Sequence, residues 1–333
     1  MLDAARCLIR GSINIDEFFH VKDIVRPGET ISSDNLEKRA GGKGANQAVA
    51  VARAGGQVDL VGAIGRDGIW VKSQLENAGV DVSGVLVAEE STGRAVIQLT
   101  SKGENSILLY KGANFLSIPQ RPMHPRTTHI LLQNEIPFSE TLAQIAAANN
   151  PSLPQPLSTI FNPSPMPSQT QLLQFPWDKL TWLIVNEGEA SDLVDILLPS
   201  PISLIPNENY ASLSAYPVIL RLAERIPTTN IVCTLGAAGV LALLPSFERN
   251  PVYLPAARLE GTVRDTTGAG DCFTGYLVAG LMEIEQKGTP LTREILTGVL
   301  RRCVQAAGMC VEKRGAMESI PAGSDVNTRL LLA

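Results

Sequence analysis

The order of apolar runs in this 333-residue chain predicts an α/β fold, a central mainly parallel sheet with helices on both faces. Three observations carry that reading. Short β-rich runs alternate with helical ones along most of the chain. Two glycine-rich turns each lead directly into an apolar helix. Only 17–39 and 83–110 carry successive β-type runs, such as Thr92 to Leu99, with no helix between them.

Taken in order, a strand at 5–13 precedes a helix at 45–54. Strand 57–63 precedes helix 68–78, and strand 128–133 precedes helix 139–149. Strands follow at 158–161 and 182–186, the latter running into a helix at 187–198, and a further strand lies at 230–234. Sheets of this kind bind ligands beyond the carboxyl ends of their strands. Asn14, Asp16, Glu135, Asn186 and Gly236 fall at or just past such ends, so one edge should collect them. Arg6 and Arg10 are awkward in a first strand that should be buried. The stretch 150–167 holds six prolines and reads as an extended surface excursion, with 199–217 a similar interruption. There is no internal repeat, heptad pattern or low-complexity tract.

Hydrophobic residues make up 44% and charged residues 18%, a globular composition rather than a disordered one. A net charge of −5 argues against a nucleic-acid surface, and Arg301-Arg302 and Lys313-Arg314 read as solvated helix faces. Cys7, Cys233, Cys272, Cys303 and Cys310 are odd in number and lack CxxC spacing, so reduced thiols are expected rather than disulfides or zinc. No stretch is apolar enough to span a membrane, and residues 1–10 lack a signal-peptide layout. A soluble cytoplasmic protein of one domain, 1–333, is the expectation.

Asp265-Thr266-Thr267-Gly268-Ala269-Gly270-Asp271 precedes the apolar stretch 272–282. Small residues here bring backbone N–H groups close to a ligand, and the helix behind them places partial positive charge at its start. An anion suits that position, with Asp271 beside it as a candidate general base toward a hydroxyl. The competing reading is a plain turn with Asp271 as a helix cap. Ala40-Gly41-Gly42-Lys43-Gly44-Ala45-Asn46-Gln47 forms the second glycine turn, where Lys43 and Asn46 offer a cation and an amide to polar oxygens. A dinucleotide fingerprint would need a third glycine where Gln47 stands, and a P-loop would need Ser or Thr after Lys43. Close helix packing without a ligand remains the alternative. His20, His124 and His129 sit in no catalytic context.

These two segments resemble the signatures of the ribokinase-like (PfkB-type) carbohydrate kinases. Gly11-Ser12-Ile13-Asn14-Ile15-Asp16, Pro27-Gly28-Glu29-Thr30, Gly112-Ala113-Asn114, Asn186-Glu187-Gly188-Glu189, Thr234-Leu235-Gly236 and Lys313-Arg314-Gly315-Ala316 follow in the family's order, so most of the chain is covered. The resemblance implies transfer of phosphate from ATP to the 5-hydroxyl of D-ribose. Relatives that act on adenosine, fructose or a ketodeoxy sugar acid, and a non-catalytic sensor, are the rival outcomes. It also implies a small β-sheet lid at about 17–39 and 83–110, and a homodimer formed through that lid.

The resemblance further assigns roles. Asp271 would be the base, with the N–H groups of Ala269, Gly270 and Asp271 forming the anion hole and Gly268 shaping its turn. Asn14, Asp16, Gly42, Lys43, Asn46 and Glu135 would bind the sugar. Asn186, Thr234, Leu235, Gly236, Ala237, Ala238, Gly239 and Gly270 would bind ATP. Mg²⁺ would be served by Asn186 and Glu189, and K⁺ by Asp265, Thr267, Cys310, Lys313, Gly315 and Ser319, mostly through carbonyls.

Overall fold

The computed structural model describes residues 4–101, 104–119, 121–198, 210, 213–248 and 250–332. Nine strands build the large sheet: β1 (Arg6–Arg10), β4 (Gln57–Gly65), β5 (Asp81–Ala88), β8 (Thr127–Leu132), β9 (Ser158–Phe161), β10 (Trp182–Asn186), β11 (Asn230–Thr234), β12 (Val240–Leu243) and β13 (Val252–Leu254). Their spatial order is β13-β12-β11-β10-β9-β8-β1-β4-β5. Every neighbouring pair is parallel except the two that β12 makes with β11 and β13.

Alternation along the strands explains why helices cover both faces. Cys7 and Ile9 of β1 join one core, with Leu131 of β8 and Val232 of β11. Leu8, Ile130, Leu132, Ile231 and Cys233 join the other. The first core is closed by α1 (Lys43–Arg53), α2 (Ile69–Asn77), α7 (Ala269–Gln286), α8 (Arg293–Val311) and α9 (Gly323–Leu332). The second is closed by α3 (Phe138–Ala148), α4 (Gln169–Gln174), α5 (Glu187–Leu197) and α6 (Ala215–Arg225).

The topology reverses at β1. From there the chain builds outward to β4 and β5, then returns to β8 on the other side. Adjacent strands that leave in opposite directions open a crevice at their carboxyl ends. The turn after β1 and the segment after β8 flank that crevice.

Gly275 lets α7 lie against α1. A Cβ there would fall 2.3 Å from Ala50 Cβ and 2.8 Å from the Gln47 carbonyl oxygen. Alanine would gain about 1 kcal/mol of helix propensity, but overpacking of that kind costs about 1–3 kcal/mol. The close approach therefore prevails.

A second sheet, ordered β3-β2-β6-β7, rises from the crevice. Its strands are β2 (Asn14–Val21), β3 (Asn35–Gly41), β6 (Gly93–Thr100) and β7 (Asn105–Tyr110). Three residues separate β1 from β2, and β3 ends just before α1; Asn14 of β2 pairs with Gly41 of β3, so one end of the sheet is tied twice to the crevice.

Several sequence expectations shift. The stretch 83–110 is not all lid, because 81–88 forms β5 on the edge of the large sheet, where Val82 and Val85 pack into the first core. The strand expected over 5–13 stops at Arg10, and the chain turns into the second sheet at Asn14. The strand read at 158–161 is present as β9, so the proline-rich stretch 150–167 is not a surface excursion throughout; its prolines flank that buried run rather than interrupt it. Most of 199–217 lies outside the described residues, but Pro217 sits in the first turn of α6, where a missing N–H costs no helical bond.

Candidate active site

The site is assembled where α1 and α7 begin. Gly268, in a left-handed conformation with φ 77°, precedes α7 and turns the chain so that Ala269, Gly270 and Asp271 form its first turn. Asp271 is buried, and both its oxygens are held from α1. Asn46 Nδ2 donates to Oδ2 at 3.0 Å, and Gln47 Nε2 donates to Oδ1 at 2.8 Å. Gln47 is itself held, accepting at Oε1 from Gln133 Nε2 at 2.6 Å and donating to Asn162 Oδ1 at 3.2 Å. The two glycine turns, more than two hundred residues apart in sequence, therefore meet.

Beside this pair lies a cleft of about 220 Å³ lined by Lys43, Asn186, Glu189, Gly268, Gly270 and Asp271, among others. Burial alone would lower the Lys43 ammonium, but the carboxylates of Asp271, Glu135, Glu189 and Asp16 outweigh it and hold the pKa above its ordinary value. A carboxylate so fixed beside an ammonium and a helix N-terminus can take a proton from a hydroxyl next to a bound anion.

Toward the second sheet, Asn14, Asn114 and Glu135 line a cavity of about 280 Å³. Asn114 Nδ2 donates to Asn14 Oδ1 at 2.7 Å, while Asn114 Oδ1 accepts from the Ile13 N–H at 2.8 Å. Glu135 Oε2 accepts from Ser12 Oγ at 2.5 Å and from the Lys43 N–H at 3.0 Å. Asp16 is buried against the backbone of Gly41, where any Cβ would overlap its carboxylate. Burial, joined by repulsion from Glu135, Glu318 and Asp271 and only partly offset by Arg39, pushes the Asp16 carboxyl up to about 7.

On the opposite side an apolar cavity of about 530 Å³ adjoins the cleft through Thr234, Thr266 and Gly270. Gly236, Ala237 and Gly239 line it from the turn after β11, and Val263, Val304 and Ala307 complete its walls. Leu235 is buried beneath that turn, its N–H donating to the Gly239 carbonyl at 2.8 Å. Leu235 and Ala238 are not among the lining residues.

Asn186 and Glu189 cap α5 reciprocally. Asn186 Oδ1 accepts from the Glu189 N–H at 2.8 Å, and Glu189 Oε2 accepts from the Asn186 N–H at 3.0 Å. A further cluster gathers Asp265, whose carboxylate accepts from the N–H groups of Thr267 and Gly315, each at 2.9 Å. Nearby, Cys310 Sγ lies 2.8 Å from Ser319 Oγ, and the Lys313 N–H donates to the Cys310 carbonyl at 3.1 Å.

A family model described as pfkB family carbohydrate kinase matches residues 4–323. The chain belongs to that family. It is 32% identical to the ribokinase of Bacillus subtilis over 97% of this chain and 98% of the relative. The solved ribokinase of Cryptococcus neoformans var. grubii serotype A, in complex with ADP, is 52% identical with a TM-score of 0.85, covering 98% of this chain and all of that one. The Arabidopsis thaliana ribokinase complexed with ribose and ATP is 27% identical with a TM-score of 0.78, covering 98% and 99%.

Within this pfkB-family framework, sequence reasoning missed the supporting amides. Gln47 and Asn114 sit inside recognised motifs but drew no role there, and Gln133 and Asn162 lie just past strand ends, a position that could have flagged them. The apolar wall from 256 to 311 carries no polar signature to find.

The Asp16 environment has a consequence for stability. Its folded pKa, about 7, exceeds its ordinary value of 3.8. Over that window the folded chain keeps a proton that the unfolded chain has released, so this group's contribution falls as pH rises and levels off above about 7. Asp16→Asn should lack the decline. The melting-temperature difference, variant minus wild type, is expected to grow between about pH 4.5 and 7.5; a constant difference would count against this reading of the site.

Proposed function

We propose that this chain transfers the γ-phosphoryl group of ATP to the 5-hydroxyl of D-ribose, giving D-ribose 5-phosphate and ADP. The observation that carries the reading is the Asp271 carboxylate, held by Asn46 and Gln47 at the cleft that Lys43 and the start of α7 also face. Ribokinases, among them enzymes solved with ADP or with ribose and ATP, are the relatives described above.

Asp271 accepts the proton of the attacking hydroxyl. The N–H groups of Ala269, Gly270 and Asp271, with Gly268 shaping the turn, stabilise charge on the migrating phosphoryl group. Asn14, Asp16, Gly42, Lys43, Asn46 and Glu135 bind the sugar; its hydroxyls both donate and accept, so they suit a wall that mixes carboxylates, an ammonium and amides. Asp271 stands where the acceptor hydroxyl meets the phosphate. The adenosine moiety occupies the apolar cavity, against the 234–239 turn, whose backbone at Leu235 and Ala238 shapes the loop.

Asn186 and Glu189 serve Mg²⁺. The capping bonds leave Glu189 Oε1 free of the Asn186 N–H, and among the described residues no group of three or more His, Cys, Asp or Glu side chains forms a metal cage. That donor set fits an ion held largely by phosphate oxygens and water. Bound there, Mg²⁺ would neutralise phosphate charge. K⁺ fits the cluster of Asp265, Thr267, Cys310, Lys313, Gly315 and Ser319, where the Asp265–Gly315 bond ties two carbonyl-rich loops.

The chain works as one domain with the four-stranded sheet as its lid. Closure would keep water from competing with ribose for the phosphoryl group. β7 is exposed along its whole length, with Leu108 at 70%. Exposed apolar strand edges favour pairing, which supports a homodimer through this sheet. All five cysteines are buried free thiols, which suits the reducing cytoplasm. Among the described residues no helix is long and apolar enough to cross a membrane.

A coupled assay over a panel of sugars and nucleosides should favour D-ribose, with NMR placing phosphate on the 5-hydroxyl. Asp271→Asn should lower kcat by roughly 10²- to 10⁴-fold while ribose still binds. Preference for another acceptor, or near-wild-type turnover in that variant, would overturn the assignment. The maximal rate should be higher in potassium than in sodium or tetramethylammonium buffers, and equal rates would remove the K⁺ site. Leu108→Asp should convert a dimer to a monomer in sedimentation; a wild-type monomer would refute the interface.

A further inference from the structure

Arg10 stands at the carboxyl end of β1, between neighbours on both sides, and is only 1% exposed. Its ion-pair partner is Glu140 in the first turn of α3, with Nε 3.5 Å from the carboxylate. None of Nε, Nη1 and Nη2 has a hydrogen-bond partner among the described residues. Burial lowers the guanidinium pKa and Glu140 opposes that shift, and an arginine stays charged in either case. Among the described residues the fork therefore meets only the Glu140 carboxylate, at ion-pair distance, and makes no well-formed hydrogen bond.

Arg10 helps line a cavity of about 220 Å³ that lies away from the cleft holding Asp271, with its three guanidinium nitrogens just beneath the wall. Glu140 and Gln144 share its lining, as do Asp59 and Asp81. Gln144 Oε1 is a buried acceptor that likewise lacks a partner among the described residues. Asp59 and Asp81 are engaged by Arg6.

We propose that this cavity binds a small monocarboxylate that carries a hydroxyl or amino group on the adjacent carbon. A planar carboxylate meets a guanidinium through two parallel hydrogen bonds. The donor on the next carbon supplies what Glu140 and Gln144 Oε1 can accept. Asp59, Asp81 and Glu140 outnumber Arg10 and Arg121 in the wall, which disfavours a dianion such as phosphate. No residue of the proposed phosphoryl-transfer machinery takes part, so the binding stands apart from the ribose reading.

Calorimetric titration of the full chain with L-lactate, glycine, acetate and inorganic phosphate tests the assignment. L-Lactate or glycine should saturate with a Kd of about 1 mM or tighter, and acetate should bind more weakly. Arg10→Met should weaken the preferred ligand by roughly 10- to 100-fold. Gln144→Leu keeps the ion pair, and should weaken lactate and glycine while leaving acetate unchanged; it carries the test if Arg10→Met does not fold. The proposal is overturned if neither lactate nor glycine saturates, if Gln144→Leu leaves both unaffected, or if phosphate shows the tighter Arg10-dependent binding.

Discussion

The Asp271 carboxylate is the point on which the rest of the structure depends. A buried carboxylate must be met by hydrogen-bond donors, or it neutralises or destabilises the fold. Its donors come from the first two turns of α1, and they reach it because Gly275 brings α7 against α1. The same contact aims two helix N-termini at one crevice. Packing and chemistry are thus one constraint here. Any change that separates the helices removes the donors from the carboxylate as well as the contact from the core.

Charge is distributed unevenly around that point. Lys43 is held protonated by four carboxylates, while Asp16, nearest to three of the same sign, is pushed toward the neutral acid. Burial is the larger cause at Asp16, and the carboxylates of Glu135, Glu318 and Asp271 add to it. Their side of the crevice, facing the lid, is a poor host for phosphate and a good one for neutral polyols, whose hydroxyls can donate to the carboxylates. Phosphate is better received at the start of α7, where N–H groups face the cleft.

Much of this was legible in the sequence, and the reasons differ by element. The strands β9, β10 and β11 and the helices α1, α3 and α5 announce themselves through short apolar runs with clear periodicity, within a residue or two of their observed ends. The site motifs were legible because glycines beside Lys43 and Asp271 have few other uses. β5 was misassigned to the lid because strand propensity carries no information about which sheet a strand joins; that is decided by its register with β4. The amides of Gln47, Gln133 and Asn162 were silent for a related reason. A glutamine becomes a positioning group only when the fold places a carboxylate within reach.

The first strand shows how a local misfit can be settled by topology. Arg6 and Arg10 conflict with a strand buried on both faces, and each is resolved by a different neighbour. Arg6 reaches across to Asp59 of β4 and Asp81 of β5. Arg10 reaches the other way, to Glu140 on the helix that follows β8. The two arginines thus span the strand order on either side of its reversal. Ser12, two residues beyond Arg10, bonds Glu135, five residues before Glu140, so the same pair of segments is clamped twice. Of the two clamps, only the Ser12–Glu135 bond is short and uncharged on one side. The Arg10–Glu140 pair is long and makes no well-formed hydrogen bond, which makes it the less complete of the two and the one that a small ligand can finish.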